Sequence, residues 1–282
     1  MDHAAFTRYR IPPVRQAWGP REALLYAHSV LAGAFLDHPR ALDYLSDTRG
    51  PAVLPGFAVD LGHPGFWLSD PATTADATRN LHAEESVELF GLLPPSGEVV
   101  GETRIVDVVD KGRDRGALVY LEKELRDTAT GRLLALCRRT LMLRGDGGYD
   151  GPSGPARPTP AEPVTPPDRI RVLPTRPDQA LFYRLNGDTN PLHLEPEVAR
   201  RAGFDRPILQ GLCTFGIAAT AALFELAEGD AERFRSFSAR FSAPVYPGET
   251  LRIEIWNDGA LRVVAMERDR PVLTHGRAVI AG

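Results

Sequence analysis

Cysteine is scarce in this chain of 282 residues. It occurs twice, at Cys137 and Cys213, and each stands in an apolar stretch with no second cysteine at the CxxC spacing. The sequence therefore lacks both a disulfide framework and a cysteine-based zinc site. We interpret both residues as buried thiols of a protein in a reducing compartment, which favours a cytoplasmic location.

An excess of positive charge is also missing. Lysine and arginine total 33 against 37 aspartate and glutamate residues, a formal net charge of -4, and no basic stripe with interleaved aromatic residues is present. The sequence therefore gives no support for nucleic acid as a partner. A local basic patch would still be compatible with a phosphorylated ligand.

Long hydrophobic runs are absent as well. The most apolar stretch, from Leu212 to Leu226, would extend about 22 Å as a helix. It is shorter than the run of about 20 apolar residues that a membrane span needs, so we expect a core helix and no membrane span. The N-terminal residues MDHAAFTRYRIPP lack the basic start and apolar run of a secretory signal, and no Ser-Lys-Leu peroxisomal address ends the sequence.

What the sequence does contain is a structural pattern that occurs twice. A helical pattern at 19–36 is followed, after a loop-rich region, by alternating segments that predict an antiparallel meander up to Leu143. Residues 168–282 repeat the scheme, and the letters GAL at 116–118 recur at 259–261 at corresponding strand starts. A helix followed by four antiparallel strands is the pattern of the hot-dog fold, in which a sheet wraps a central helix. We therefore predict an α+β double hot-dog with the two sheets joined edge to edge; two unconnected α+β domains are the alternative.

The two halves are separated by a segment at 146–167 that is dense in glycine and proline and nearly free of apolar side chains. Such a segment cannot bury enough surface to hold its own structure, so we predict a linker between domains at 1–145 and 168–282. An ordered arm that lies across the surface is the alternative, because proline-rich stretches are already partly extended.

Acidic, imidazole and small residues crowd together in one stretch, 183–223, ahead of the long apolar helix. The Asn-Gly pair and the proline inside 186–192 favour a sharp turn over a continuing helix. This turn would bring Asp188 and His193, which are five positions apart, into one pocket. Histidine titrates near neutrality, and a carboxylate can hold or relay a proton beside it. The stretch is therefore the candidate active site.

The motif GDTNPLH at 187–193, with the downstream strings ILQGLCTFG and RFSAPVYPGETL, resembles the hydratase 2 motif of MaoC-like (R)-specific enoyl-CoA hydratases. The resemblance covers most of the chain and implies the same double hot-dog fold. It implies Asp188 and His193 as the catalytic pair, with Asn190 in the same motif. The implied reaction is the reversible, cofactor-free hydration of trans-2-enoyl-CoA to (R)-3-hydroxyacyl-CoA. This chain has Gln210 where the family usually has histidine, which puts any role of that side chain in doubt.

Such a reaction also needs a group that stabilises the enolate-like charge on the thioester oxygen. The backbone N–H of Gly211, at the start of the apolar helix, is the best candidate because it is unpaired within the helix and lies at the positive end of the dipole. Gly211 could instead serve helix packing alone, and Asn190 could bind the water or simply cap the turn. Asp188 and His193 could likewise be an Asx-turn former and a structural loop histidine. Which of the pair gives the proton and which takes it is left open.

The first half contains no second copy of the motif, so we predict one site per chain and a degenerate first half, which the resemblance implies accommodates the acyl chain. We expect an acyl-CoA thioester as the partner and no cofactor. We also expect no metal ion, because the only further ligands near Asp188 and His193 are Glu195 and Glu197, which suit a helix N-terminus equally well. The basic turn at 111–115 could meet coenzyme A phosphates or be merely solvated. An exposed sheet face favours a homodimer.

Two other functions fit the same residues. One is a dehydratase that acts on acyl-carrier-protein thioesters, or on branched or dicarboxylic acyl thioesters. The other is a non-catalytic acyl-CoA-binding subunit that needs a partner hot-dog chain.

Overall fold

The computed structural model of the chain describes residues 1–49, 51–153 and 161–282. These residues form one antiparallel sheet with the strands β1 (Val14–Trp18), β2 (Asn80–Leu89), β3 (Gly97–Asp110), β4 (Ala117–Asp127), β5 (Leu133–Leu143), β6 (Arg169–Pro174), β7 (Phe234–Phe241), β8 (Thr250–Ile255), β9 (Ala260–Ala265) and β10 (Arg270–Ile280). The α-helices are α1 (His3–Arg8), α2 (Pro20–Ser29), α3 (Ala41–Leu45), α4 (Gln179–Arg184), α5 (Pro196–Arg201) and α6 (Gly211–Leu226). Short 3-10 helices lie at Ala32–Phe35, Asp47–Arg49, Pro55–Val59, Trp67–Ser69, Pro71–Thr73, Ala77–Arg79, Pro191–His193 and Met266–Arg268.

The strands lie in the order β1-β3-β4-β5-β2-β7-β10-β9-β8-β6, so the two halves of the chain repeat one arrangement on either side of the β2–β7 pair. At this junction Val87 lies opposite Phe237, and Glu84 lies opposite Arg240. The Arg240 guanidinium donates to the Glu84 carboxylate at 2.7 Å. The predicted edge-to-edge joining of two sheets is therefore confirmed, and the fold is a double hot-dog.

Each half has one strand more than the four that the sequence predicts. The additional strands, β1 and β6, form the two outer edges of the sheet. Both are short, and the sequences VRQAW and RIRVLP carry arginines between their apolar residues. An edge strand pairs on one side only and keeps much of its surface in solvent, so its apolar pattern is weak.

Helix α6 is the core helix that the sequence predicts. Its side chains from Cys213 to Phe224 are buried, because small and apolar residues occupy every side of the helix. A Cβ atom at Gly216 would lie 2.6 Å from Val30 Cγ1 and 2.7 Å from Tyr26 Oη. Glycine thus lets α6 approach the end of α2 closely. Across the described residues, no helix combines the length and the apolar character that crossing a membrane requires.

The first long helix ends earlier than its sequence pattern predicts. The periodicity extends to position 36, but α2 stops at Ser29 and Leu31 adopts a left-handed conformation with φ of 60°. The side chains of Gln179 and Asn186 both bind Ser29, from 150 and 157 residues away along the chain. Tertiary contacts of this kind override local helix propensity, which is why the periodicity gave too long a helix.

The recurring GAL letters mark equivalent turns in the two halves. Gly116 and Gly259 have φ of 76° and 92°, and each stands directly before its strand, β4 or β9. A Cβ atom at either position would overlap a backbone carbonyl, that of Leu143 or that of Ala278. Both turns therefore require glycine for conformation and for space.

Part of the predicted linker, residues 154–160, lies outside the described residues. On its N-terminal side, the Asp110 carboxylate accepts hydrogen bonds from the amides of Gly148 and Tyr149 at 2.8 and 3.0 Å. On its C-terminal side, Trp256 Nε1 donates to the carbonyl of Thr165 at 3.0 Å. The described ends of the segment are thus fixed against the adjoining strands.

Candidate active site

A compact turn between α4 and α5 holds Asp188 and His193. Gly187 has φ of 114°, a conformation that glycine adopts readily. Asp188 Oδ1 accepts the amide of Asn190 at 3.0 Å, which is an Asx turn. The other carboxylate oxygen of Asp188, Oδ2, lies 3.8 Å from His193 Nε2. The structure thus brings together the two side chains that the sequence pairs.

His193 is oriented by the backbone ahead of α6. Its Nδ1 lies 2.8 Å from the carbonyl oxygen of Ile208. Since a carbonyl can only accept, Nδ1 carries the hydrogen and Nε2 presents a lone pair toward Asp188. Burial lowers the pKa of His193, while the Asp188 carboxylate acts in the opposite direction. The imidazole is therefore neutral near pH 7.

The pair offers two hydrogen-bond acceptors to one small volume. The Nε2 lone pair of His193 and Oδ2 of Asp188 cannot bond directly to each other while the imidazole is neutral. Their separation of 3.8 Å suits the two hydrogens of one water molecule. His193 is buried and Asp188 is half-buried, so a bound water would be shielded on one side and open on the other.

Asn190 takes part in the turn itself. Its Oδ1 accepts the amide of Leu192 at 3.0 Å and so caps the 3-10 helix Pro191–His193. Arg184 holds the same turn from α4, because its guanidinium donates to the carbonyls of Asp188 and Asn190 at 3.4 and 3.0 Å. Sequence reasoning did not single out Arg184, since an arginine at the end of a helix has several common roles.

The start of α6 presents free backbone donors. The amides of Cys213 and Thr214 donate to the carbonyl of Gln210 at 3.1 and 3.3 Å, whereas the amides of Gly211 and Leu212 have no acceptor within the helix. These donors lie at the positive end of the helix dipole. Because Ile208 binds His193 and precedes Gly211 by three residues, the imidazole and the helix start are held close to each other.

Gln210 is the residue directly before α6. Its side chain is buried, and Nε2 donates to the carbonyl of Ala180 at 2.9 Å. Gln210 therefore ties the start of α6 to α4, while its Oε1 is buried without a hydrogen-bond partner among the described residues.

The N-terminal half reaches the site through two residues that sequence reasoning missed. Ser29 accepts a hydrogen bond from Asn186 Nδ2 at 2.8 Å, beside the turn of Asp188. Asp60 contacts the hydroxyl of Tyr183, with O···O distances of 2.9 and 2.7 Å. Burial raises the pKa of Asp60 to about 7, and the nearby Asp188 carboxylate contributes in the same direction. No local sequence signal links these pairs, because each spans more than 100 residues.

The other candidate groups in the sequence are the two cysteines and the basic turn at 111–115. Both cysteines are buried and unpaired, and burial raises the pKa of Cys137 to about 11. Arg113 and Arg115 lie exposed in the turn between β3 and β4. In the part of the chain that the structure describes, no group of three or more histidine, cysteine, aspartate or glutamate side chains could hold a metal ion.

Comparison with known proteins gives matches over nearly the whole chain. Residues 18–145 match the MFE-2 hydratase 2 N-terminal domain, and residues 158–274 match the MaoC like domain. The enoyl-CoA hydratase ChsH3 of Mycobacterium tuberculosis is 40% identical over 276 residues, which cover 95% of this chain and 94% of that protein.

Solved structures agree with this result. The crystal structure of a MaoC-like dehydratase from Phytophthora capsici matches with a TM-score of 0.84 and 28% identity, and covers 100% of this chain and 99% of that one. A Mycobacterium tuberculosis protein with a double hot-dog fold matches with a TM-score of 0.59 over 97% of this chain and 94% of its own; at 18% identity it shows the fold alone. The family predicted from the motif is confirmed: this chain belongs to the MaoC-like hydratase 2 family of enoyl-CoA hydratases and dehydratases, and it is a hydro-lyase.

Proposed function

We propose that this chain catalyses the reversible hydration of trans-2-enoyl-CoA to (R)-3-hydroxyacyl-CoA, with Asp188 and His193 as the catalytic pair. The observation that carries the proposal is the placement of His193 Nε2 3.8 Å from Asp188 Oδ2 while Nδ1 is held by the backbone carbonyl of Ile208. The (R) configuration of the product rests on membership of the family.

The pair would bind the attacking water by both of its hydrogens. As the water oxygen bonds to Cβ of the substrate, one O–H bond breaks and its proton moves to Asp188 or His193. Cα then receives a proton from the same pair, so the protein ends in its starting protonation state. Positioned acid and base groups of this kind contribute about 10²- to 10⁴-fold each.

The thioester oxygen would lie at the start of α6. Negative charge develops on this oxygen when the water adds, and the free amide of Gly211, with the helix dipole behind it, would stabilise that charge. Removing one such donor typically costs about 3 kcal/mol of transition-state stabilisation.

The two halves of the chain would have different roles in the reaction. We propose that residues 168–282 carry the only catalytic motif, that 146–167 connect the halves, and that 1–145 form a degenerate hot-dog which accommodates the acyl chain. The contacts of Ser29 and Asp60 with the catalytic half support a site that both halves build.

Substitution of the pair tests the proposal. Asp188→Asn and His193→Gln should each lower kcat at least 100-fold, measured as loss of the conjugated thioester absorbance on enoyl-CoA, with chiral analysis of the product. Asp178→Asn is the matched control, because Asp178 is an exposed residue at the start of α4 that pairs with Arg176. Wild-type rates in both site variants would refute the proposal.

The alternative is a dehydratase on acyl-carrier-protein, branched or dicarboxylic thioesters. The similarity to a protein named a dehydratase supports this alternative, since dehydration is the reverse of hydration. Rates on matched CoA and carrier-protein thioesters separate the two substrates. Turnover by the purified chain alone would exclude a non-catalytic acyl-CoA-binding subunit.

We further propose a cytoplasmic homodimer. Two buried free thiols are typical of a reducing compartment. The edge strand β6 exposes Ile170 and Val172, half of whose surface is in solvent, which gives an apolar surface for a second copy. Sizing of the purified chain in solution tests the dimer.

A further inference from the structure

One carboxyl group of the N-terminal half, that of Asp60, contacts the catalytic half beside the turn of Asp188. Asp60 follows the 3-10 helix Pro55–Val59, and both of its carboxyl oxygens lie within hydrogen-bonding distance of Tyr183 Oη, at 2.9 and 2.7 Å. Tyr183 is buried and lies on α4, five residues before Asp188. Asp60 therefore contacts the helix that leads directly into the catalytic turn.

A buried lysine fixes the segment that carries Asp60. Lys123, on β4, donates from Nζ to the carbonyls of Ala58 at 3.2 Å, Val59 at 2.8 Å and Leu61 at 2.6 Å. The ammonium group thereby uses its three hydrogens on backbone that flanks Asp60 on both sides. The position of the Asp60 carboxyl is thus determined by the fold and not by a mobile loop.

The contact between Asp60 and Tyr183 can contain two hydrogen bonds only when the carboxyl is neutral. A phenol has a single hydrogen to donate, so it can bond well to only one of the two carboxyl oxygens. The second short distance becomes a hydrogen bond when Asp60 carries its own proton and donates it back to the phenol oxygen. Burial and the Asp188 carboxylate both favour this protonated form and raise the pKa of Asp60 to about 7.

Groups of both signs face Asp60. The hydrogen bond that the Tyr183 hydroxyl donates and the cations Lys123 and Arg139 favour its ionised form, whereas burial and the carboxylate of Asp188 disfavour it. Three further groups stay neutral near pH 7, and burial raises the pKa of each; they are Tyr26 on α2, Tyr183 on α4 and Cys213 on α6. Ionisation of Asp60 therefore places a second negative charge beside Asp188.

We propose that Asp60 is a positioning residue for the hydration reaction: in its neutral form it holds Tyr183, and through α4 the turn of Asp188, in the productive arrangement. This inference rests on the proposed roles of Asp188 and His193. Loss of the Asp60 proton removes the hydrogen bond that the carboxyl donates to the Tyr183 oxygen, leaves only the bond that the phenol donates, and repels the Asp188 carboxylate, so turnover declines as the residue ionises.

The test is the pH profile of Asp60→Asn. Asparagine keeps the shape of the neutral acid and can donate to the phenol oxygen, but it does not ionise. We expect wild-type kcat to be about tenfold lower at pH 8 than at pH 6, as follows if the ionised form is inactive, with KM changed less than kcat. In Asp60→Asn the ratio of kcat at the two pH values should lie near one, whereas the exposed control Asp178→Asn should keep the wild-type ratio.

Two further variants separate the possible outcomes. Asp60→Leu should lower kcat about tenfold or more at pH 6, and Tyr183→Phe should reduce the pH step, because each removes the contact between the two side chains while Tyr183→Phe leaves the repulsion of Asp188. Equal pH ratios in wild type and Asp60→Asn would overturn the inference, whether or not Asp60→Leu folds. Failure of the proposed function can be told apart from failure of this inference. If the proposed function is wrong, Asp188→Asn keeps its activity at every pH.

Discussion

Ser29 and Asn186 are joined by a hydrogen bond of 2.8 Å, although 157 residues separate them in the chain. Ser29 is the last residue of α2 in the N-terminal half, and Asn186 begins the turn that carries Asp188. The same serine accepts Gln179 Nε2 at its carbonyl at 2.7 Å. A helix end of one hot-dog unit therefore anchors the candidate active site of the other.

Ser29→Ala tests this anchor. The substitution removes the acceptor of Asn186 in a fully buried place, and we expect about 1 kcal/mol lower free energy of unfolding. We also expect kcat several-fold lower, because the turn of Asp188 loses one support. Denaturant unfolding and enoyl-CoA kinetics measure the two effects. Ser69→Ala is the control, since Ser69 is exposed; a Ser29→Ala variant that matches it in both measurements would contradict the anchoring role.

Gly211→Ala tests the helix start. A Cβ atom there would lie 3.2 Å from Phe241 Cε1, a tight contact, and would enter the space where the thioester oxygen is proposed to lie. We expect kcat/KM to fall about tenfold to 100-fold, with little loss of stability because alanine is a good residue for the first turn of a helix.

Gly216→Ala, in the same helix, is the contrasting variant. Its Cβ would lie 2.6 Å from Val30 Cγ1, so alanine would overpack the contact between α6 and α2. We therefore expect about 1–3 kcal/mol lower free energy of unfolding. Thermal melting and kinetics of both variants are the measurements. A Gly211→Ala variant with full activity would show that the thioester oxygen does not bind in the space beside this residue.

The sequence predicted the parts of this site that depend on local conformation. The Asn-Gly pair and Pro191 predicted a turn, and the structure places Asp188 and His193 3.8 Å apart across it. The bounds of α6 were predicted within a residue, because an apolar run between a glycine and a polar segment has clear ends. The motif itself identified the family.

The sequence could not predict contacts between the halves. Ser29 and Asp60 are single polar residues without a local pattern, and their partners Asn186 and Tyr183 lie more than 100 residues away. Edge strands β1 and β6 were missed for a related reason: register with β3 and β8 defines them, and their own alternation is weak. Tertiary pairing supplies what local sequence does not encode.

The unfolding free energy should depend on the protonation of Asp60. In the folded chain Asp60 keeps its proton up to about pH 7, whereas its usual pKa is 3.8. Between these values the folded state binds more protons than the unfolded state, so the stabilisation is full below about pH 4 and declines as pH rises toward 7. The slope is at most about 1.4 kcal/mol per pH unit, the value for a difference of one bound proton.

Asp60→Asn removes this dependence. We therefore expect the variant to gain stability relative to wild type as pH rises from 4.5 to 7, as measured by denaturant unfolding at several pH values. The difference between the two proteins should then stay constant above about pH 8, where Asp60 has lost its proton in both states. A difference that does not change with pH would show that the carboxyl titrates normally.

Lys123→Met separates the two effects of the buried ammonium. Lys123 donates to three backbone carbonyls around Asp60 and is also a cation that favours ionised Asp60. Methionine keeps most of the volume but leaves those carbonyls without their donor, so we expect at least about 2 kcal/mol lower free energy of unfolding.

In the folded fraction of Lys123→Met, loss of the cation should raise the pKa of Asp60 further. The decline of kcat with pH should then begin at a higher pH than in wild type, because the neutral carboxyl that holds Tyr183 persists longer. Arg115→Met, in the exposed turn between β3 and β4, is the control for removal of a positive charge. An unchanged pH profile in Lys123→Met, alongside reduced stability, would mean that the lysine supports the segment but does not influence the ionisation of Asp60.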